Sequence, residues 1–178
     1  MSNDIFEEEL QIAEEQASNE ARLAAIGLQR TIGELLTLHP AVTCERSITV
    51  RQAIETMQRE RIGCILIVEH SRLVGVFTER DVLTKVAARE VDIDHLRVDA
   101  LMTPDPECLN RDNELVYALN QMSVGGYRHI PILNDQDRPI GVVSMRDIVD
   151  YLSHLFPQDV LNLPPSPMHG IPRTPEGA

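Results

Sequence analysis

The sequence has no tryptophan and is only 3% aromatic, so it offers no stacking platform for single-stranded nucleic acid. It is also short of basic residues, with 16 Lys and Arg against 28 Asp and Glu and a net charge of −12. Such a far field repels phosphate polymers and anionic membranes, which argues against a nucleic-acid or membrane-surface partner. It leaves room for a small anionic ligand held by a few local arginines. The three cysteines, Cys44, Cys64 and Cys108, are far apart and odd in number. They form no CxxC pair, so neither a disulfide framework nor a zinc ribbon is expected. The six histidines show no HxxxH spacing, and no metal site is expected. No apolar run approaches the ~20 residues of a membrane span. The N-terminus lacks the basic start and apolar core of a secretory signal. A cytoplasmic protein is the resulting expectation.

What is present is a doubled motif. Gly75-Val76-Phe77-Thr78-Glu79-Arg80-Asp81 recurs as Gly141-Val142-Val143-Ser144-Met145-Arg146-Asp147. Each copy follows an apolar run and opens a helical pattern. Around them lie two matching halves, residues 31–92 and 93–155. In the first, Thr49-Val50-Arg51-Gln52 reads as a capping box opening a helix with Val50, Ala53, Ile54 and Met57 inward. Gly63 ends that helix, Cys64–Val68 is a buried strand, and Leu73–Phe77 is its neighbour. Val82, Leu83 and Val86 form the inner face of the helix that follows. In the second half the helix carries Leu115, Ala118, Leu119 and Met122 and breaks at Gly125-Gly126. His129–Leu133 and Pro139–Val143 are the strands, and Ile148, Val149 and Leu152 face inward from the last helix.

A half of about 60 residues buries too little surface to be stable alone, whereas residues 31–155 can share one core. The expected fold is therefore α/β (α+β), two βαββα units around a pseudo-twofold axis. Residues 1–30 read as an acidic helical arm, with seven carboxylates before the first basic residue, Arg22. Residues 156–178 read as a Pro-rich, mostly disordered tail.

The motif has chemistry of its own. A strand feeding a helix N-terminus presents unpaired N–H groups and the positive end of the helix dipole, which suit phosphate. Thr78 and Ser144 can donate a hydroxyl proton there, and Arg80 and Arg146 can add a bidentate fork. Asp81 and Asp147 repel phosphate but suit the hydroxyls of a ribose. The competing reading is that Thr78-x-x-Asp81 and Ser144-x-x-Asp147 are capping boxes and nothing more. Neither set forms a nucleophile–base pair, so an enzyme is the weakest reading.

The repeated motif, with Leu101-Met102-Thr103-Pro104 and Arg128-His129-Ile130-Pro131-Ile132, resembles a tandem pair of CBS (cystathionine β-synthase) domains, or Bateman module, over residues 31–155. The resemblance implies a free-standing regulatory module with no obligatory cofactor. It implies an adenosine-containing effector (AMP, ADP, ATP, S-adenosylmethionine or NAD) in a cleft between the repeats, and a homodimer signalling to an unidentified protein partner. It also implies two mixed clefts. One gathers Asp147, Arg146 and Ser144 with Thr37, Val42 and Ile62, and with the phosphate-holding pair Arg128 and His129. The other gathers Asp81, Arg80 and Thr78 with Thr103, Cys108 and Tyr127. Because Gly63-Cys64 stands where the second half has Arg128-His129, the Asp147 cleft is expected to bind a phosphorylated nucleotide more tightly. The alternative is a ligand-independent dimerisation scaffold.

Overall fold

In a computed structural model, residues 27, 29–35, 39–89 and 91–155 are described. The expectations for the acidic arm up to residue 26, for Thr37 and for the tail lie outside them. The chain runs α1 (Ile32–Leu35), β1 (His39–Pro40), β2 (Thr43–Glu45), α2 (Val50–Glu60), β3 (Cys64–Glu69) and β4 (Arg72–Thr78). Then come α3 (Glu79–Asp81), which continues as a π-helical turn over Val82–Ala87, and a 3-10 turn at Val98–Ala100. The second half follows as β5 (Thr103–Pro104), β6 (Leu109–Asn110), α4 (Leu115–Gly125), β7 (His129–Leu133), β8 (Pro139–Ser144) and α5 (Met145–Leu155). This mixed α+β architecture of two repeats is the one the sequence pattern predicts.

Local chemistry sets most element ends. Thr49 caps α2 reciprocally: its hydroxyl accepts from Gln52 N–H, and the Gln52 side chain accepts from Thr49 N–H. Gly126 closes α4 with φ 68, a left-handed conformation that glycine adopts without a Cβ clash. At the end of α2 the expectation fails, because Arg61 and not Gly63 is the left-handed cap, at φ 55. Its N–H reaches the Gln58 and Met57 carbonyls, which offsets the strain. Two inner-face assignments also fail. Leu83 is 68% exposed and Val149 55% exposed. Leu83 sits in the π-helical turn, where a 3.6-residue period no longer places side chains. There the Thr84 hydroxyl donates at 2.7 Å to the Arg80 carbonyl, the one an α-helical Thr84 N–H would use.

The two sheets have the orders β2-β3-β4-β5 and β1-β8-β7-β6. Each is therefore completed by a short strand from the other half. β5 pairs antiparallel with β4 (Val76 opposite Thr103), and β1 pairs antiparallel with β8 (His39 opposite Val142). The cores are exchanged in the same way. Ile32 of α1 is fully buried with Leu115, Ile130, Ile132 and Ile148 of the second half. Val98, just before β5, is buried with Val50, Ile65 and Phe77 of the first. Each half thus lends apolar area to the other's core, which neither could fill alone.

Ile32→Ala removes a fully buried side chain and is expected to cost about 2–5 kcal/mol. By amide hydrogen exchange, protection should fall at Ile130 and Ile132 before Ile65 and Ile67. Greater loss at Ile65 and Ile67 would contradict the exchanged packing.

Candidate functional site

The doubled motif is a capping box in both halves. Thr78 Oγ1 donates to Asp81 Oδ2 at 2.7 Å and accepts from Asp81 N–H at 3.3 Å, while Thr78 N–H donates to the same Oδ2 at 2.9 Å. Ser144 repeats this on Asp147 Oδ2, with both donors at 2.7 Å. The hydroxyl protons expected to face a phosphate are therefore directed at the neighbouring carboxylates. Capping does not withdraw these residues from solvent contact. Thr78, Arg80 and Asp81 also form part of a cavity wall.

That cavity measures about 310 Å³ and lies where the two repeats meet. The first repeat contributes Gly63, Val76 and Thr78–Asp81. The second contributes Thr103, the Asp105–Glu107 segment and Tyr127–His129. Strand exchange explains the mixture. Pairing of β5 on β4 carries Thr103 and the segment after it across to the start of α3. Gly75 makes that approach possible, since a Cβ there would lie 2.4 Å from Met102 Sδ and 3.0 Å from the Thr103 carbonyl. At the opposite wall, a Cβ on Gly63 would lie 3.2 Å from Glu79 Oε2 and 3.3 Å from His129 Nε2. Gly63 lets a carboxylate of one repeat and an imidazole of the other converge.

The sequence grouping is only partly the spatial one. Asp81, Arg80, Thr78, Thr103 and Tyr127 are brought together on one wall. Cys108 is not on it. Its thiol donates to the Pro106 carbonyl at 3.1 Å, and burial pushes its pKa up to about 11. Arg128 and His129, grouped with Asp147 from the sequence, line the Asp81 cavity. The reason is their place at the start of β7, close to Gly63 at the start of β3. His129 nevertheless stands between the two motifs, as ladder partner of Ser144 and within the field of the Asp147 carboxylate. Val42 and Ile62, grouped with Asp147 and not with Asp81 from the sequence, pack on the first half's core. Sheet register gives Thr103, opposite Val76, the counterpart His39, opposite Val142. The sequence match to Thr37 differs by two residues from that register. Arg146 is exposed beside Asp147 on α5.

Charge on the wall is mixed. Four carboxylates, Glu79, Asp81, Asp105 and Glu107, face Arg80, Arg128 and His129. Arg80 Nη1 also donates to the Gly126 carbonyl at 2.8 Å, a link from the first repeat to the end of α4. Asp81 is 7% exposed, and its Oδ1 lies 2.7 Å from Lys85 Nζ. His129 has its pKa lowered, first by burial and then by Arg128, with Arg80 adding to this and Glu79 and Asp147 opposing it. Cys64 is buried, its thiol pushed up to about 12 by burial and by Asp81, which makes it an inert core residue. Sequence reasoning missed Glu79, Asp105 and Glu107. The second motif has Met145 in place of Glu79, and His39-Pro40-Ala41 stands where the other half has Asp105-Pro106-Glu107. Comparing the non-matching positions of the two halves carries that signal.

Comparison with known proteins gives a single answer. The CBS domain family model matches residues 32–88 and 98–154. An uncharacterised 17.7 kDa protein of Acidianus ambivalens is 31% identical over 103 residues, 57% of this chain and 61% of its own length. Among solved structures, a CBS domain protein from Pyrobaculum aerophilum complexed with AMP superposes with TM-score 0.63 at 24% identity, over 71% of this chain and 98% of its own. A CBS domain pair in complex with 5′-methylthioadenosine and S-adenosyl-L-methionine gives TM-score 0.62 at 22% identity, over 68% and 98%. At these identities the structural likeness is one of fold. With a family model matching both halves and the same two-repeat architecture, the chain belongs to the CBS domain family, as a tandem pair of CBS domains.

Proposed function

We propose that this CBS pair is a regulatory module that binds an adenosine-containing ligand in the cavity between its repeats and signals to a protein partner by a change in their relative arrangement. The observation that carries the proposal is the cavity wall itself, which draws a ribose-type acceptor (Asp81) and cationic groups (Arg80, Arg128) from different repeats. A ligand touching both repeats has a different affinity for each of their arrangements, which any ligand-driven switch requires. The relatives crystallised with AMP, or with 5′-methylthioadenosine and S-adenosyl-L-methionine, support an adenosyl ligand for this chain. Recognition and not catalysis is the chemistry proposed.

The sequence ranked the Asp147 cleft first on the strength of Arg128 and His129. Since both line the Asp81 cavity, we assign the phosphorylated nucleotide there, with Asp81 on the ribose and Arg80, Arg128 and His129 near the phosphate. The four wall carboxylates disfavour added phosphates by like-charge repulsion, so AMP is expected to bind at least as tightly as ATP.

We also propose a homodimer formed through the helical face of the second repeat. Val116, Tyr117 and Val124 on α4 are 37%, 57% and 81% exposed, and Val149 and Leu155 on the adjoining α5 are 55% and 39% exposed. A cluster of large apolar side chains on one face is costly to leave in water and marks an interaction surface. The same face supports the alternative reading, a scaffold that dimerises without ligand.

Asp81→Asn keeps one neutral acceptor for the cap but removes the charge-assisted ones, and should weaken AMP about 10- to 100-fold by calorimetry, from ~1.5–3 kcal/mol per hydrogen bond to a charged group. Asp147→Asn should change it less. The pH dependence has a definite sign. The His129 pKa is low in the free protein, and a phosphate beside it favours the imidazolium, so binding takes up a proton. AMP affinity should rise as pH falls from neutrality towards the free-state pKa and level off below it, and His129→Gln should flatten the profile. Unchanged affinity in Asp81→Asn would remove the Asp81 cavity as the site, and no binding of any adenosyl ligand would leave the scaffold as the function. Light scattering should give a dimer for the wild type and a monomer for Tyr117→Glu/Val124→Glu, whereas a wild-type monomer would remove the homodimer.

A further inference from the structure

Asp81 forms part of the cavity wall, yet it is held from two other sides. A carboxylate offers about four acceptor positions. Among the described residues, Oδ2 accepts from Thr78 N–H at 2.9 Å and Thr78 Oγ1–H at 2.7 Å. Oδ1 is met by Lys85 Nζ at 2.7 Å. That leaves about one acceptor position, on Oδ1, for anything that enters the cavity.

Lys85 is not a wall residue. It stands in the π-helical turn behind the wall, with its side chain 32% exposed. Its ammonium also donates to the Leu101 carbonyl at 2.8 Å, two residues before Thr103. One cation is thus fixed between the carboxylate of the first motif and the segment that leads the second repeat into the cavity. At the matching position four residues after Asp147, the second motif has Tyr151, which brings no charge. The first cleft therefore carries a resident cation on its ribose-type carboxylate that the repeat symmetry does not require.

We infer that Lys85 is a specificity-determining residue that, by taking one of the two acceptor positions of Asp81 Oδ1, restricts Asp81 to a single hydroxyl of the ligand's ribose. The inference rests on the adenosyl-ligand reading of this cavity. A vicinal diol donates two hydrogen bonds to a carboxylate with two open acceptor positions. Here the second bond requires Lys85 to leave, against both its ion pair with Asp81 and its bond to Leu101. Lys85 also neutralises the carboxylate, so the charge an incoming phosphate meets is smaller than the wall composition suggests.

The test uses adenosine, 2′-deoxyadenosine and 3′-deoxyadenosine, which have no phosphate to feel a change of charge, titrated into the full chain and followed by NMR. In the wild type, one deoxy analogue should bind at least about tenfold more weakly than adenosine, while the other stays within about twofold. Lys85→Met keeps the aliphatic stem and removes the cation. It should tighten adenosine and make both hydroxyls count. Lys85→Gln, which keeps a donor, should retain the single-hydroxyl preference. Equal losses for both analogues in the wild type, or an unchanged preference in Lys85→Met, would overturn the role of Lys85 while leaving the adenosyl site standing. Absence of any adenosine-induced shift at Gly63, Thr103 and His129 would instead overturn the reading of the cavity, and the inference with it. The wild-type comparison needs no variant, so a folding defect in either mutant does not leave the question open.

Discussion

Antiparallel pairing of β5 on β4, and of β1 on β8, is the constraint on which the rest of the molecule depends. Each involves only two residues of strand, so few backbone hydrogen bonds hold it. Its strength comes from what the exchanged segments bring with them. Ile32 and Val98 are fully buried in the core of the opposite half, and each buried aliphatic side chain contributes roughly 1.5–3 kcal/mol. The pairing also fixes where function can reside. Without it, Thr103 and the acidic segment after it would have no reason to lie beside the start of α3.

The residue pair of the first motif, Thr78 and Asp81, serves two purposes at one place. Its hydrogen bonds start a helix, a contribution of about 1 kcal/mol for a good cap. The same carboxylate faces the cavity, largely buried, with its charge balanced by Lys85. A ligand at this wall joins a network that is already formed, so recognition draws on groups whose ordering folding has completed. Arg80 connects this network to the α4 terminus through the Gly126 carbonyl. Three of the exposed apolar residues of the proposed dimer surface, Val116, Tyr117 and Val124, lie along that helix, which would give a physical route from the cavity to that surface.

Local features were legible in the sequence wherever short-range chemistry decides them. The Thr49 capping box, the Gly126 cap, the buried run from Cys64 and the strand His129–Leu133 all follow from residue types and spacing. Arg61 was illegible as a cap because a left-handed arginine depends on carbonyls made available by the last turn of α2. Leu83 was misplaced because a π-helical turn breaks the period that sorts helix faces. Strand exchange could not be read at all, since a two-residue strand carries no periodicity and its partner lies in the other repeat. Arg128 and His129 were grouped with Asp147 from the family resemblance, whereas they line the Asp81 cavity because β3 and β7 begin near one another.

Backbone NMR of the full chain during a titration with AMP tests the central claim most directly. If the ligand sits in a cavity built from both repeats, shifts should saturate together at Gly63 and Asp81 of the first repeat and at Thr103, Tyr127 and His129 of the second. Shifts confined to one repeat, or centred on Arg146 and Asp147 with Gly63 and Thr103 unmoved, would contradict it.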